Sequence, residues 1–451
     1  MFKKECIFLV LVLFTAQLFA VQDPNLLAWY RFNETSGTTA TDYSGNANNG
    51  TVGSSSGWNT TGFNGKGCLY FNGTFNVTVP SAVYSNIDQT ATVSLWVNSD
   101  DPGTYSNALF YGLDINGVRT LGVELPGGEG LHLYYNAGSS GANYDCYPYW
   151  QIANEVDFRG NWNHFAFTKD AGSGLMKIYI NGSLLGTASG KTMPMNATTS
   201  FVIGSTPTNT WQFKGKMADF RIYNRALGST EIADLADTNL LAWWTFNEGT
   251  GSIAYDATIN RNDGTKGTAN TWITDGLSFS GNSDSGITFA NNGLNIVSNL
   301  TNQASISYVA TWPENAVTHG NFPYDGRDSS DVRLLTAECP TGTNILLRNG
   351  GDMMWGWEAF SDEDTRFIYG RVNKTWGDEV RITSTADFST GVFKLYVDNY
   401  LYLTETGKTG SFANLVKFTI GKSNLGDNQM EGSMKDFRIY DKVLSESEIA
   451  V

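Results

Sequence analysis

The chain has 451 residues, a formal net charge of −15, 16% charged residues and 13% aromatic residues. The aromatic content excludes a largely disordered chain, and the negative charge argues against binding to nucleic-acid phosphates. With 49 glycines and few charged residues, most of the polarity comes from Asn, Thr, Ser and Gly, which is typical of an all-β protein with many turns.

The first 20 residues have the features of a secretory signal. Lys3 and Lys4 precede an apolar run from Ile7 to Phe14, and Ala20 supplies a small residue at the expected cleavage site. The apolar run is shorter than the roughly 20 residues that span a bilayer. We therefore expect a secreted, extracellular or cell-surface protein with no membrane span in the mature chain. A retained N-terminal anchor is the alternative.

Two copies of one sequence pattern follow the signal. NLLAWYRFNE begins at Asn25 and recurs as NLLAWWTFNE from Asn239, while DFRIY begins at Asp219 and again at Asp436. The predicted domains span residues 25–236 and 239–451. Because only Asp237-Thr238 joins them, we expect the two domains to lie close together.

The interior of each copy is predicted to form strands. Apolar and polar residues alternate in Thr92–Val97 and in Lys177–Ile180, which is the period of a half-buried strand. Lys177–Ile180 leads into Asn181-Gly182, a pair that favours a two-residue hairpin turn, and Asp398-Asn399 repeats this in the second copy. Further strands are expected at Leu131–Tyr135, His164–Thr168, Phe201–Gly204 and Phe418–Gly421.

Helix is expected only after each DFRIY, where Ser229 and Ser445 precede acidic residues and can cap a short turn. Many short strands with Gly and Asn turns in each copy predict an all-β fold, with a two-sheet sandwich in each domain.

Four segments of the first copy occur in a recognisable order. They are LLAWYRFNE with DYSGNANNG, then KGCLYFNG, then Trp162-Asn163-His164 before KIYINGSLLG, and finally FKGKMADFRIYNRAL. This order resembles the laminin-G-like jelly-roll family of the concanavalin A-like lectin and glucanase superfamily. The resemblance implies two jelly-roll β-sandwiches in tandem, the second more divergent, and it leaves function open because the fold carries lectins, adhesion modules and enzymes.

The resemblance also suggests structural calcium. In this class an aspartate of the last strand often binds the ion together with groups near the first strand, and calcium prefers such oxygen ligands. The matching positions in this chain are Asp42, Asp219, Asp256 and Asp436. In the alternative interpretation, Asp219 and Asp436 form salt bridges with the nearby Arg221 and Arg438.

Catalytic residues are not assigned. Laminarinase-type enzymes of this fold carry Glu-x-Asp-x-(x)-Glu, but Glu155-Val156-Asp157 lacks the second glutamate, and glycoside hydrolysis needs two carboxylates. The run Asp362-Glu363-Asp364 suits a solvated loop. With three histidines in the chain, and His164 in a structural strand motif, a Ser-His-Asp site has few options.

Aromatic residues beside polar ones indicate a surface for carbohydrate, because sugar CH faces stack on rings and hydroxyl groups bind amides and carboxylates. The candidate ligand-binding residues are Trp96, Tyr144, Tyr147, Tyr149 and Trp150 in the first copy, and Trp355 and Trp357 in the second. Alternatively, these rings cover sandwich edges or fill the contact between the domains.

Three cysteines follow the predicted signal. A Cys68–Cys146 disulfide with a free Cys339 is one expectation, and three buried thiols are the other. The sequence thus predicts a secreted, non-catalytic protein that binds extracellular or cell-surface carbohydrate. The alternatives are an adhesive surface protein with a protein partner and, third, a glycan hydrolase or lyase.

Overall fold

The structure is a computed structural model. It describes residues 23–450 except 61, 64–66, 101–106, 128–131, 142, 148–149, 152–159, 283, 301, 312–331, 339–343, 351–353, 361–363, 372–376, 413–414, 416 and 423–429, and side chains only outside 126–132, 148–159 and 312–376. The predicted signal, residues 1–20, lies outside the described residues. None of the helices in the described part of the chain is long and apolar enough to cross a membrane.

The described residues of the first half of the chain form two sheets and two short α-helices. Its strands are β1 (Leu26–Tyr30), β2 (Thr39–Ala40), β3 (Gly50–Val52), β4 (Trp58–Asn59), β5 (Cys68–Asn72), β6 (Val77–Thr78), β7 (Thr90–Ser99), β8 (Ala108–Leu113), β9 (Arg119–Gly127), β10 (His132–Ser140), β11 (Asn143–Cys146), β12 (Trp150–Gln151), β13 (Asn163–Asp170), β14 (Leu175–Ile180), β15 (Ser183–Ala188), β16 (Ser200–Ile203) and β17 (Lys214–Tyr223). The helices are α1 (Ser81–Tyr84) and α2 (Ser229–Ala236).

The second half repeats this plan. Its strands are β18 (Leu240–Trp244), β19 (Ile253–Ala254), β20 (Gly264–Lys266), β21 (Thr271–Ile273), β22 (Gly276–Ser280), β23 (Ile287–Phe289), β24 (Gln303–Thr311), β25 (Val332–Glu338), β26 (Asn344–Gly350), β27 (Met354–Phe360), β28 (Asp364–Arg371), β29 (Val380–Asp387), β30 (Val392–Val397), β31 (Tyr400–Glu405), β32 (Lys417–Ile420) and β33 (Glu431–Tyr440). The helices are α3 (Leu294–Val297) and α4 (Glu446–Ile449).

The strands pair into four antiparallel sheets, two in each half. Sheet A has the order β15-β14-β13-β7-β17-β5-β4 with β1 also on β17, and sheet B has the order β11-β10-β9-β8-β16-β6-β3-β2 with β12 on β10. Sheet C has the order β21-β22-β33-β24-β29-β30-β31 with β18 on β33, and sheet D has the order β19-β20-β23-β32-β25-β26-β27-β28. The predicted all-β class is confirmed.

Each pair of sheets encloses one apolar core. In β7, Val93, Leu95 and Val97 point between sheets A and B, where they pack with Phe110 and Val123 of sheet B. A side-chain period of two therefore places the other residues of β7 on the outer face of sheet A. A fully buried aliphatic side chain of this kind stabilises the fold by about 1.5–3 kcal/mol.

The predicted hairpin turns are confirmed. Asn181 (φ 48°) and Gly182 (φ 79°) connect β14 to β15, and both have the positive φ that this turn requires. Asp398 (φ 48°) and Asn399 (φ 69°) connect β30 to β31 in the same way.

Each half ends in a short helix that covers the outer face of one sheet: α2 covers sheet A, and α4 covers sheet C. Ile232 of α2 packs with Trp29 and Tyr179, and Ile449 of α4 packs in the equivalent cluster of the second half. Ser445 caps α4 as expected. For α2 the expected cap is wrong by one residue: the N-cap is Gly228, whose N–H donates to Glu231 Oε2 at 2.8 Å.

Candidate functional site

The loop after the first strand of each half is built around one buried aspartate. Asp42 Oδ1 accepts from the backbone N–H groups of Trp29 and Ser44, both at 2.9 Å, and Oδ2 accepts from the Ser44 hydroxyl and from Asn48 N–H, both at 2.8 Å. The donors to Asp256 in the second half, at 2.7–2.9 Å, are Trp243 N–H, Thr258 N–H, the Thr258 hydroxyl and Asn262 N–H. In both loops the carboxylate fixes the backbone.

The aspartate of the last strand binds an indole and an arginine. Asp219 Oδ1 accepts from Trp29 Nε1 at 2.5 Å and from Arg221 Nη2 at 3.1 Å, and the Arg221 guanidinium lies 4.2 Å from the centre of the Trp29 ring. The donors to Asp436 are Trp243 Nε1 (2.8 Å), Arg438 Nε (2.8 Å) and Arg381 Nη2 (2.6 Å). The salt bridges that we named as the alternative to calcium are therefore present in both halves.

At Asp42 and Asp256 every carboxylate oxygen already accepts from N–H or O–H donors, which argues against a calcium site at these two positions. Calcium takes six to eight oxygen ligands, whereas N–H and O–H donors already occupy both Asp42 oxygens and both Asp256 oxygens. Within the described residues, no three His, Cys, Asp or Glu side chains converge to hold a metal ion. The ligand set expected from the resemblance, Asp42, Asp219, Asp256 and Asp436, is accounted for by hydrogen bonds and ion pairs.

A buried arginine connects the two halves. Arg31 Nη1 pairs with Asp263 at 2.9 Å, and its Nη2 donates to the Asp256 carbonyl oxygen at 3.0 Å. The guanidinium also lies 4.3 Å from the centre of the Trp29 ring and 4.5 Å from that of Tyr43. A guanidinium suits this position because it stacks on aromatic faces and donates several hydrogen bonds in one plane.

Trp96 contributes to the contact between the halves and is not a free platform, which corrects our expectation. Its ring is on the outer face of sheet A, but only 4% of the residue is exposed. Phe63, Ala218 and Ile259 pack around it, and Ile259 belongs to the first loop of the second half. A covered ring offers no face to a sugar.

The expectation that Tyr147 binds ligand is also wrong, because Tyr147 is 3% exposed and packs in the core between sheets A and B. Tyr144, by contrast, is 41% exposed on β11. Tyr149 lies outside the described residues. The backbones of Trp150, Trp355 and Trp357 belong to β12 and β27, and their side chains lie outside the described set.

The described residue set contains an exposed aromatic group on the outer face of sheet B, which we call the Arg119 cluster. It comprises Arg119, Tyr111, Tyr144, Trp211 and Glu124. The Arg119 guanidinium lies 5.6, 5.5 and 5.2 Å from the ring centres of Tyr111, Tyr144 and Trp211, respectively. Tyr144 and Trp211 are 41% and 39% exposed, so each presents part of its ring to solvent beside a cation.

Trp211 was missed by the sequence reasoning, although an aromatic residue in the polar run Thr208-Asn209-Thr210 is the signal that could have found it. Its φ of 49° is an outlier for a bulky residue and is of the strained kind that collects at functional sites. The loop is held at both ends: Thr206 N–H donates to the Thr210 carbonyl oxygen at 3.0 Å, and Ala108 N–H donates to the Trp211 carbonyl oxygen at 2.7 Å. These hydrogen bonds fix the backbone that carries the ring.

Buried polar groups lie behind these rings. Glu124 is 3.3 Å from Arg119 Nη1 and accepts from the Tyr111 hydroxyl at 3.4 Å. Burial raises the pKa of the Glu124 carboxyl, and Arg119 opposes that rise. A Cβ at Gly122 would lie 2.8 Å from the Tyr111 ring, so glycine allows this ring to lie against the sheet. On β10, the amide of Asn136 is buried with no partner among the described residues.

His164 has the structural role that we expected. It is fully buried, its Nε2 is 2.7 Å from the Ser94 hydroxyl, and burial lowers its pKa to about 3. Glu155–Asp157 and Asp362-Glu363 lie outside the described residues.

The expected Cys68–Cys146 disulfide is wrong, because both residues are free thiols. The physical reason is that Cys68 is on β5 of sheet A, whereas Cys146 is on β11 at the edge of sheet B. Burial raises the pKa of the Cys68 thiol to about 11. Cys339 lies outside the described residues.

Several solved structures are similar to parts of this chain. Domain 4 of AbnA, a GH43 extracellular arabinanase from Geobacillus stearothermophilus in complex with arabinotriose, is 25% identical, with 47% of this chain and 98% of that chain covered and a TM-score of 0.35. The CBM40 of the Ruminococcus gnavus IT-sialidase, bound to alpha2,3 sialyllactose, is 14% identical over 38% of this chain and 96% of that chain, with a TM-score of 0.32. The binding domain of botulinum neurotoxin serotype G is 14% identical over 94% and 99%, with a TM-score of 0.39.

The sequence comparisons assign the family. A search of the curated proteins finds no match. The laminin G family model, described as the concanavalin A-like lectin/glucanases superfamily, matches residues 71–233 and 327–450, which together are more than half of the chain. The two matched ranges fall in the two sandwiches. This chain therefore belongs to the concanavalin A-like lectin/glucanases superfamily.

Proposed function

We propose that this protein is a non-catalytic binding protein for extracellular or cell-surface carbohydrate, and that the Arg119 cluster is its binding site. The observation that carries the proposal is the pair of partly exposed rings, Tyr144 and Trp211, whose centres lie 5.5 and 5.2 Å from the Arg119 guanidinium on the outer face of sheet B. Secretion through the N-terminal 20 residues remains part of this proposal.

The chemistry of the cluster suits a sugar. An aromatic ring offers an apolar face to the CH groups of a pyranose or furanose, and a guanidinium donates several hydrogen bonds to hydroxyl or carboxylate oxygens. Glu124 keeps the guanidinium oriented at 3.3 Å. Because the Trp211 loop is held by its own backbone hydrogen bonds, little conformational entropy remains to be lost on binding.

The test is a glycan array followed by calorimetric titration of the best glycan against Trp211→Ala. We expect the substitution to weaken binding at least tenfold, about 1.4 kcal/mol, because aromatic anchors dominate such contacts. Tyr400→Ala is the matched control: this tyrosine is 80% exposed on β31 of sheet C, in the second half, and its loss should leave binding unchanged.

Other outcomes would favour the other two functions. Silence on the array would contradict the sugar-binding proposal and favour a protein partner. An affinity that is the same in Trp211→Ala and Tyr144→Ala as in the wild type would show that the glycan binds outside the Arg119 cluster. The release of reducing ends or unsaturated products from labelled polysaccharides would show a hydrolase or a lyase instead.

A further inference from the structure

A cleft of about 770 Å³ lies between the two halves of the molecule, away from the Arg119 cluster. Its first-half wall includes Trp162 and the turn at Asn181–Ser183, and its second-half wall includes Tyr440 and Ser447 of the α4 region. The volume is in the range of small-ligand pockets, about 300–1,000 Å³. Neither half alone forms both walls.

Ion pairs connect the two walls of the cleft, so the cleft is preformed. Arg438 of the second half pairs with Asp234 of α2 at 2.8 Å, and Lys442 pairs with Asp237 at 2.9 Å, so both ion pairs cross between the walls. The buried Arg31–Asp263 pair fixes the same contact from another side. A ligand would therefore not have to bring the halves together.

The charges along the cleft compensate one another. Each of its cations has a carboxylate partner: the pairs are Arg381–Asp436 at 2.6 Å, Arg438–Asp234 at 2.8 Å, and Lys442 with Asp237 at 2.9 Å and with Glu448 at 2.7 Å. A strongly charged ligand would have to break these pairs. A neutral polyhydroxyl ligand can instead use the remaining donors and acceptors of the same groups, since a guanidinium has five N–H donors.

One ring in the cleft is held in a defined orientation. Trp162 is half-buried, and it packs edge-on against Phe63 with ring centres 5.2 Å apart and an interplanar angle of 88°. Phe63 in turn contacts Trp96, which packs against Ile259 of the second half. The contact between the halves therefore positions an aromatic wall beside neutralised polar groups.

We infer that this cleft is a second binding site, shared by both halves, for a neutral oligosaccharide. It combines a fixed ring for CH stacking with hydrogen-bonding groups that carry no unpaired cation. The inference does not rest on the Arg119 cluster: either site can be occupied without the other.

The full-length mature protein is titrated by calorimetry with three neutral probes, cellohexaose, xylohexaose and laminarihexaose. The background is Trp211→Ala, which removes the proposed first site. In that background we expect at least one probe to bind, and Ser447→Trp to lower its affinity at least tenfold by filling the cleft from the exposed side of α4. Ser189→Trp, at an exposed serine outside the cleft, is the matched control and should leave the affinity unchanged.

A second cleft-filling variant keeps the test valid if Ser447→Trp fails to fold. Ser183→Trp fills the cleft from the first half, at an exposed turn position, and should have the same effect as Ser447→Trp. Absence of binding by all three probes in the Trp211→Ala background overturns the cleft site, as does binding that survives both cleft-filling substitutions. If Trp211→Ala by itself removes all glycan binding, the first site is supported and the cleft site is overturned. The two proposals therefore fail independently.

Discussion

Glu248 is a buried carboxyl whose ionisation links stability to pH. Its side chain is fully buried, Oε1 accepts from Tyr255 N–H at 2.7 Å, and Oε2 has no hydrogen-bond partner among the described residues. Burial raises its pKa from the ordinary 4.5 to about 8. The folded state therefore keeps a proton that the unfolded chain releases, and the stability from this group is present below pH 4.5 and lost as the pH rises through about 8.

We predict that Glu248→Gln flattens the decline in stability between pH 5 and pH 8, because glutamine cannot ionise. The effect at pH 8 should be on the order of 4 kcal/mol, measured as the free energy of unfolding in urea at a series of pH values. Glu446→Gln, at a side chain that is 69% exposed, is the control. Equal pH slopes for wild type and Glu248→Gln would contradict the prediction.

At the scale of elements, the first loop of each half depends on its aspartate. Asp42→Asn replaces Oδ2 or Oδ1 with an NH₂ group, so two of the four donors lose their acceptor inside the fold. We expect a loss of about 2–3 kcal/mol in the free energy of unfolding, because unpaired buried donors are costly. Asp114→Asn, at the turn between β8 and β9 where Asn116 N–H and Val118 N–H donate to Oδ1, is the milder control.

The same loops predict the response to chelation. Because N–H and O–H groups occupy the oxygens of Asp42 and Asp256, we expect EDTA to leave the melting temperature of the protein unchanged. A fall in melting temperature that is restored by added calcium would show that these carboxylates bind metal after all.

At the scale of the molecule, Arg31 couples the two sandwiches. Arg31→Met leaves Asp263 without its cation and removes the hydrogen bond to the Asp256 carbonyl oxygen. We expect a loss of about 3 kcal/mol, near the lower end of the cost of breaking a buried pair, since the Asp263 side chain is 30% exposed. Calorimetry should show one unfolding transition for the wild type and two for the variant.

Arg225→Met is the control for this experiment. Arg225 pairs with Asp23 and Glu231 within the first half, and its side chain is 33% exposed, so the cost should stay below about 1 kcal/mol and the transition should remain single. Two transitions already present in the wild type would show that the contact does not couple the halves.

Local patterns in the amino-acid sequence were enough to predict the repeated plan, the all-β class, the hairpin turns and the structural role of His164. Alternation over six residues places Val93, Leu95 and Val97 on one face, and the Asn181-Gly182 pair itself favours the positive φ of the turn.

Which of the outward-facing rings stay exposed depends on contacts that form when the chain folds. Trp96 and Tyr144 have similar sequence signals, but Ile259, 163 positions after Trp96, covers one of them and nothing described covers the other. Trp211 lies far along the chain from Tyr144, yet both rings approach the Arg119 guanidinium, and Asp219 accepts a hydrogen bond from Trp29, 190 positions away. Burial and ligand geometry are properties of contacts between distant segments, and local periodicity does not encode which segments meet.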